Sequence, residues 1–272
     1  MPVTTTRIAR DVVTVTGPDT TGYLQGQLSQ DVAALDVGGA ALSFVLQPQG
    51  KVDTWMRVDR AGPETVRLDT DPGAGAGLVA RLERFKLRTE VDIALTEAVD
   101  VLAVRGAEVL DGVPCGWPGA PGSDVFDADP DDLPTDLPVG AVALDADGYE
   151  ALRIRAGVPR MGAEITPDTI PAELGRWVIE ASVSFTKGCY TGQELVARID
   201  SRGGNVPRHL RGLVGPGLAA GAVVTGPEGK EVGVVTSAAG EVGLALLHRR
   251  VEVPATVLVD GAEVRAVDLP IS

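Results

Sequence analysis

The residues best equipped for chemistry lie in one stretch, FTKGCYTGQELVARIDSRGGNVPRHL, residues 185–210. Cys189 is one of only two cysteines in the chain, and Gly188 and Gly192 bracket it. Glycine lets a backbone turn tightly or approach a ligand closely. A helix beginning near Thr191 would put the thiol at its N-terminal end, where the free amides and the dipole favour an anion. Lys187 adds a cation two residues away, and both effects favour a thiolate. The ordinary alternative is a small buried cysteine in the core. Gln193 and Glu194, an amide and a carboxylate in the first turn, could hydrogen-bond a heterocycle with a donor and acceptor edge, such as a pterin. A solvated helix face is the plainer reading of the same pair. Arg198 lies one turn after Glu194, which allows an i,i+4 ion pair. Arg198, Arg202, Arg208 and Arg211 together form a cluster whose guanidinium forks match carboxylates. Scattered surface arginine is the alternative.

No nucleophile–base pair assembles from this inventory. The only histidines are His209 and His248, and neither sits where a general base is needed. No Walker-type loop and no G-x-G-x-x-G after a strand is present. Two cysteines make no disulfide framework and, with two histidines, stock no zinc site.

The elements that must position these residues follow from periodicity and turn signals. Leu24, Leu28, Val32 and Leu35 recur at helical spacing after Asp19, a candidate N-cap, and Gly38-Gly39 closes that helix. ALSFVLQPQGKVDTWMRVDR reads as a hairpin, with strand 41–47, a turn at 48–50 and strand 51–59. ETVRLDT is a third strand, and GLVARLERFKL a helix with Leu78, Leu82 and Phe85 on one face. EVDIALTE and VDVLAVRG are two further strands. This order indicates an α+β module with an antiparallel sheet. Residues 111–140 are rich in Pro, Gly and Asp and read as a surface loop, with Cys115 an incidental small residue. ALRIRAG is a short strand or the start of a helix, and GQELVARIDSRGG a helix closed by Gly203-Gly204. After Pro207, turn signals every 8–12 residues separate six short strands, the pattern of a small β-barrel or sandwich.

With 272 residues, the chain has room for two domains or three small ones. Its net charge of −14 excludes general affinity for nucleic acid. Residues 111–150 hold ten acids and no base, whereas residues 151–211 hold nine bases and six acids. The candidate site thus sits in a locally basic stretch. No apolar run reaches the roughly 18 residues of a membrane span. The N-terminus lacks a secretory h-region, and a reducing cytoplasm is the expected compartment.

Lys187-Gly188-Cys189-Tyr190-Thr191-Gly192-Gln193-Glu194 resembles the K-G-C-Y-x-G-Q-E signature of the YgfZ family of folate-binding proteins, relatives of the glycine-cleavage T-protein (aminomethyltransferase). GPDTTGYLQGQLSQDVAAL, LQPQGKV, LRIRAGVPRMGAEI and GKEVGVVTSA are similar to further family segments in the same order. The resemblance implies a T-protein-like ring of three domains around a channel that holds a tetrahydrofolate-type ligand. Their expected extents are 1–47 with 146–204 for a central domain, 48–145 for a second, ferredoxin-like one, and 205–272 for a C-terminal β-barrel. It also implies a role in making or repairing iron–sulfur proteins, which would be the partners, and a channel-facing Cys189. Gly188, Tyr190, Gly192, Gln193, Glu194, Arg198 and Arg202 are then the expected folate-binding residues, with Cys189 and Lys187 reactive. Related proteins often carry glutamate, the pterin anchor of the T-protein, where this chain has Arg155. Facing the site, Arg155 would take the glutamyl tail instead. The T-protein's catalytic aspartate segment has no counterpart. A folate-dependent aminomethyltransferase and a non-catalytic module binding a small anion are the alternatives.

Overall fold

The computed structural model of the chain describes residues 1–126, 128 and 134–271. Its first layer is an eight-stranded sheet in the order β2-β3-β4-β1-β5-β7-β6, with β8 added beside β1. The strands are β1 (Thr4–Thr16), β2 (Ala40–Leu46), β3 (Val52–Gly62), β4 (Thr65–Thr70), β5 (Asp92–Arg105), β6 (Val113–Pro114), β7 (Gly122–Phe126) and β8 (Val142–Ala143). The expected hairpin is present as β2 and β3, with Phe44 opposite Trp55. Strands of the segments 1–47 and 48–145 therefore lie in one continuous sheet.

Two sequence expectations change here. The stretch 90–106 forms one strand, β5, rather than two. It stays continuous because Ala98 takes a positive φ of 52° where the pairing with β1 shifts register between Arg10 and Val12. The buried Asp11 organises this irregularity. Its carboxylate accepts from the amides of Ala98 (3.1 Å), Gly73 (2.8 Å) and Gly75 (3.1 Å). The long first helix is shorter than its periodicity suggests. It ends as α1 (Thr20–Gln27), because Leu28 makes a β-bridge to Val45 and the chain continues through a 3-10 turn at Val32–Ala34. Asp19 makes no side-chain cap on α1. Its carboxylate accepts from the Glu90 amide at 2.8 Å.

Helix α1 and α2 (Gly75–Phe85) belong to one apolar core. Leu24, Leu28, Leu78 and Leu82 meet Val13, Val15, Met56 and Leu68 there, all essentially inaccessible. A second core holds Phe44, Leu46, Trp55, Ile165, Leu174 and Val178. Helices α3 (Ala146–Ala156), α4 (Arg176–Ser182) and α5 (Gln193–Asp200) are tied to it. ALRIRAG is thus helical. Asp145 caps α3 by accepting from Gly148 N at 2.8 Å, and Gly157 closes it at φ 72°.

Strands β9 (Arg208–Val214), β10 (Val223–Thr225), β11 (Glu231–Ala239), β12 (Val242–His248), β13 (Ala255–Val259) and β14 (Ala262–Val267) close into a barrel in the order β10-β11-β12-β9-β14-β13. Leu213, Val224, Val235, Leu247 and Val264 fill its interior. The barrel is locked to α3 through polar groups. Arg153 donates to Ser237 Oγ at 2.7 Å, and Ser237 donates to the fully buried Glu164 at 2.6 Å.

The acidic region is only partly the surface loop expected of it. Asp124 and Cys115 are buried, and Gly122–Phe126 is a sheet strand. Asp127, Asp129, Asp131 and Asp132 fall outside the described residues. No described helix is long and apolar enough to cross a membrane.

Candidate functional site

A cavity of about 500 Å³ opens between the sheet and α3. Six arginines and five acids line it, together with Trp55, Trp117, Tyr149 and Cys115. A surface of a −14 chain in which cations match anions is unusual, and its charges are ordered. Arg10 donates from Nε to Asp69 (3.0 Å) and from Nη1 to Asp71 (2.5 Å). Arg57 donates to Asp69 (2.8 Å) and to Asp124 (2.9 Å). Arg105 donates to the other oxygen of Asp124 (2.8 Å) and to the Tyr149 hydroxyl (3.2 Å). The result is an alternating chain, Arg105–Asp124–Arg57–Asp69–Arg10–Asp71, strung across five strands and their loops. Burial pushes the Asp124 carboxyl up, yet Arg105 and Arg57 outweigh it and hold it below the ordinary carboxylate range.

The walls are aromatic as well as charged. The Arg105 guanidinium lies 4.3 Å from the Trp117 ring centre, and Trp117 and Tyr149 are 5.5 Å apart. Burial pushes the Tyr149 hydroxyl up to about 12, with Arg105 opposing. At neutral pH it is a neutral hydroxyl. Two guanidinium nitrogens, Arg57 Nη2 and Arg105 Nε, are buried without an acceptor among the described residues. On the α3 side, the buried Arg153 is bidentate with Glu150 (2.7 and 2.9 Å), which the exposed Arg160 also contacts at 3.3 Å. Cys115 completes the wall, and burial pushes its thiol up against the pull of Arg105.

The signature residues are elsewhere. Cys189 is exposed and lines neither this cavity nor the next. Helix α5 begins two residues later than expected, with Gly192 as its N-cap at φ 82°. Cys189 thus precedes the cap by three residues. All three protons of the half-buried Lys187 ammonium are taken by backbone carbonyls, of Gln25 (2.6 Å), Leu28 (2.8 Å) and Gln30 (2.9 Å). Burial draws that ammonium down to about 8, with Asp31 pulling the other way. Tyr190 packs on the second core, and its amide donates to Gln193 Oε1 at 3.3 Å. Gly188, Glu194, Arg198 and Arg202 are exposed. Among the described residues Arg198 makes no ion pair with Glu194, contrary to the helical spacing. Arg208 pairs with Glu173 and Arg211 with Asp268. Arg155 is exposed and outside the cavity wall. Arg153, two residues earlier on α3, faces the cavity in its place.

A second cavity, of about 730 Å³, does touch the signature helix. Leu195, Val196 and Ile199 of α5 line it with Phe185, Ile179 and His209. Burial lowers the His209 imidazole, and Arg211 adds to that.

Gly192 has a local role that its place in the motif explains. A Cβ there would stand 2.5 Å from Gln47 O, on the β2–β3 turn, in a left-handed backbone. Gly50 on that turn meets Leu195 just as closely. The two glycines let the signature helix seat against the hairpin. Gly192→Ala is expected to destabilise the fold by about 3 kcal/mol through backbone strain and overpacking. Urea denaturation measures it, and a loss under about 0.5 kcal/mol would contradict this packing.

The cavity residues were missed because each is ordinary in its own strand. The one visible signal was charge inside apolar strands, as in TWMRVDR and TVRLDT, where Arg57 and Asp69 face each other across the β3–β4 pairing.

Residues 206–270 match the family described as CAF17, C-terminal beta-barrel domain. An uncharacterized protein of Haemophilus influenzae is 33% identical over 200 residues, covering 71% of this chain and 67% of its own. The tRNA-modifying protein YgfZ of Cronobacter sakazakii is 30% identical over 230 residues, covering 76% of this chain and 69% of its own. The mitochondrial iron-sulfur cluster assembly factor IBA57 of Mus musculus is 29% identical over 277 residues, covering 88% and 75%. This chain spans about two thirds of the length of the bacterial relatives. Among solved structures, the glycine cleavage system aminomethyltransferase T of Bartonella henselae superposes with a TM-score of 0.74 at 20% identity, over 99% of this chain and 86% of that one.

Proposed function

The chain belongs to the YgfZ family, and on that premise we propose that it is a tetrahydrofolate-binding accessory protein for iron–sulfur cluster assembly or repair, acting in the cytoplasm. The observation that carries the folate half is the cavity itself. Its volume suits a ligand of folate size. Trp117 and Tyr149 offer faces for a planar heterocycle, and the arginines offer forks for carboxylates. The unpaired Arg57 Nη2 and Arg105 Nε are the kind of buried donors that an anionic ligand satisfies. These residues fit the group, and a bound reduced folate would supply a one-carbon carrier. The protein's own part is to hold the ligand between ring faces and guanidinium groups and to exclude water around it. Tyr149 and Arg105 would orient the ring, and the exposed Arg160 would stand where a glutamyl tail leaves.

The iron–sulfur half draws on the mouse relative's name and on an exposed thiol. Cys189 is reachable by a client protein without any opening of the fold. Iron–sulfur proteins would be the clients, and the charge of −14 opposes a direct role on RNA. Titration of tetrahydrofolate into the full chain tests the folate half. A saturable Kd tighter than about 1 mM, or about −4 kcal/mol, is expected. Weaker binding would turn the reading toward another small anion. Arg155→Glu should leave that Kd unchanged, because Arg155 lies off the cavity wall. An altered Kd would bring Arg155 back into the site.

A second reading, a folate-dependent aminomethyltransferase, is favoured by the fold shared with the Bartonella enzyme. It predicts turnover of an aminomethyl donor with tetrahydrofolate, and such turnover would displace the accessory role.

A further inference from the structure

The loop between α4 and α5 carries the exposed Cys189, and it is fastened at one place. Residues 25–30, the end of α1 and the segment after it, lie against it. Lys187 puts its ammonium into a cradle of three carbonyls there, at 2.6, 2.8 and 2.9 Å. Around that cradle Ser184 N donates to Ser29 O (3.0 Å) and Thr191 N to Gly26 O (3.4 Å). Ser29 Oγ donates to Ser182 O (2.6 Å), and Gln30 Nε2 to Ala181 O (3.0 Å). The two segments are more than 150 residues apart in sequence. Among the described residues the charged groups in this contact are the ammonium itself and Asp31, which Gln25 Nε2 holds at 2.8 Å. The Tyr190 ring, 5.2 Å from Nζ, covers the remaining side.

A lysine with every proton on a backbone carbonyl is a fastener. It cannot at once serve as an acid, a base or a free counter-ion for the thiol. We infer that Lys187 is a positioning residue, whose ammonium locks the thiol-bearing loop onto the end of α1 and the segment after it, and so fixes where Cys189 is presented. Three carbonyls converge on one atom, a geometry a tetrahedral ammonium satisfies and a planar guanidinium does not. The functional consequence rests on the reading of Cys189 as the reactive group, whereas the lock itself does not.

Hydrogen exchange on the full-length protein tests this without folate or client. In Lys187→Ala the protection of the Ser184 and Thr191 amides at pH 7 should fall at least tenfold, with barrel amides within twofold of wild type. Propylammonium, which replaces the missing side-chain atoms, should restore that protection. Tetramethylammonium, which has no N–H, should not. Lys187→Arg should fail to restore protection. Unchanged protection in Lys187→Ala, a loss shared equally by sheet and barrel, or rescue by tetramethylammonium would each overturn the inference. If the alanine variant does not fold, Lys187→Arg decides, and wild-type protection of the Ser184 and Thr191 amides in it overturns the inference. Failure of folate binding leaves all these outcomes unaffected.

Discussion

Asp124→Asn should destabilise the protein more than any other single change described here, by about 3–5 kcal/mol, a large part of the 5–15 kcal/mol of a typical domain. The reason is geometric. One buried carboxylate serves Arg57 through one oxygen and Arg105 through the other. Removing its charge leaves the almost wholly inaccessible Arg105 with no acid partner among the described residues, and the equally buried Arg57 with Asp69 alone. Chemical denaturation measures the loss, and a cost below about 1 kcal/mol would mean that the alternating chain is not continuous. The pH dependence has a fixed sign. The folded carboxyl lies below its ordinary value, so its contribution is complete above the unfolded pKa of about 4 and disappears as pH falls through the folded one. The gap between wild type and Asp124→Asn should therefore be constant at neutral pH and close only in acid.

Cys189→Ala is expected to have the opposite profile, no change in stability and complete loss of function. The side chain is exposed and bonded to nothing among the described residues, so its removal costs less than about 0.5 kcal/mol. Complementation of a strain lacking its own family member should nevertheless fail. Full complementation would remove the thiol from the mechanism and leave the cavity as the functional feature. The same assay on Cys115→Ala tells the two thiols apart. Cys115 is buried and Cys189 open, so a client protein can meet only Cys189.

What the sequence discloses is local. The β2–β3 hairpin was legible because its turn, LQPQGKV, stands between two apolar runs. Helix α2 was legible from Leu78 and Leu82, and the barrel from its regular turns. The signature was legible because eight adjacent residues carry it. The cavity was not, since its wall is gathered from residues 6 to 160, with ion-pair partners up to 67 positions apart. Strand β1 was hidden for the same reason. Arg7, Arg10 and Asp11 interrupt its alternation, and the structure uses all three, Arg7 on Asp100, Arg10 on Asp69 in the cavity wall and Asp11 under the bulge. The first helix was overread. Leu28, Val32 and Leu35 are all at helical spacing, yet a β-bridge from Leu28 takes the backbone out of the helix. The proposed function moves ligand contact away from the signature arginines, because charge density along the chain reveals composition and not direction. Arg198 and Arg202 face solvent, while Arg57 and Arg105, in acid-rich surroundings, face the cavity.

On the proposed function, folate binds between the sheet and α3 and not along the signature helix. Titration of tetrahydrofolate into wild type, Trp117→Ala and Arg198→Ala tests it most directly. The cavity account predicts a loss of about tenfold in affinity, or about 1.4 kcal/mol, for Trp117→Ala and no change for Arg198→Ala. Unchanged affinity in Trp117→Ala with a tenfold loss in Arg198→Ala would contradict it and return the ligand to the signature helix.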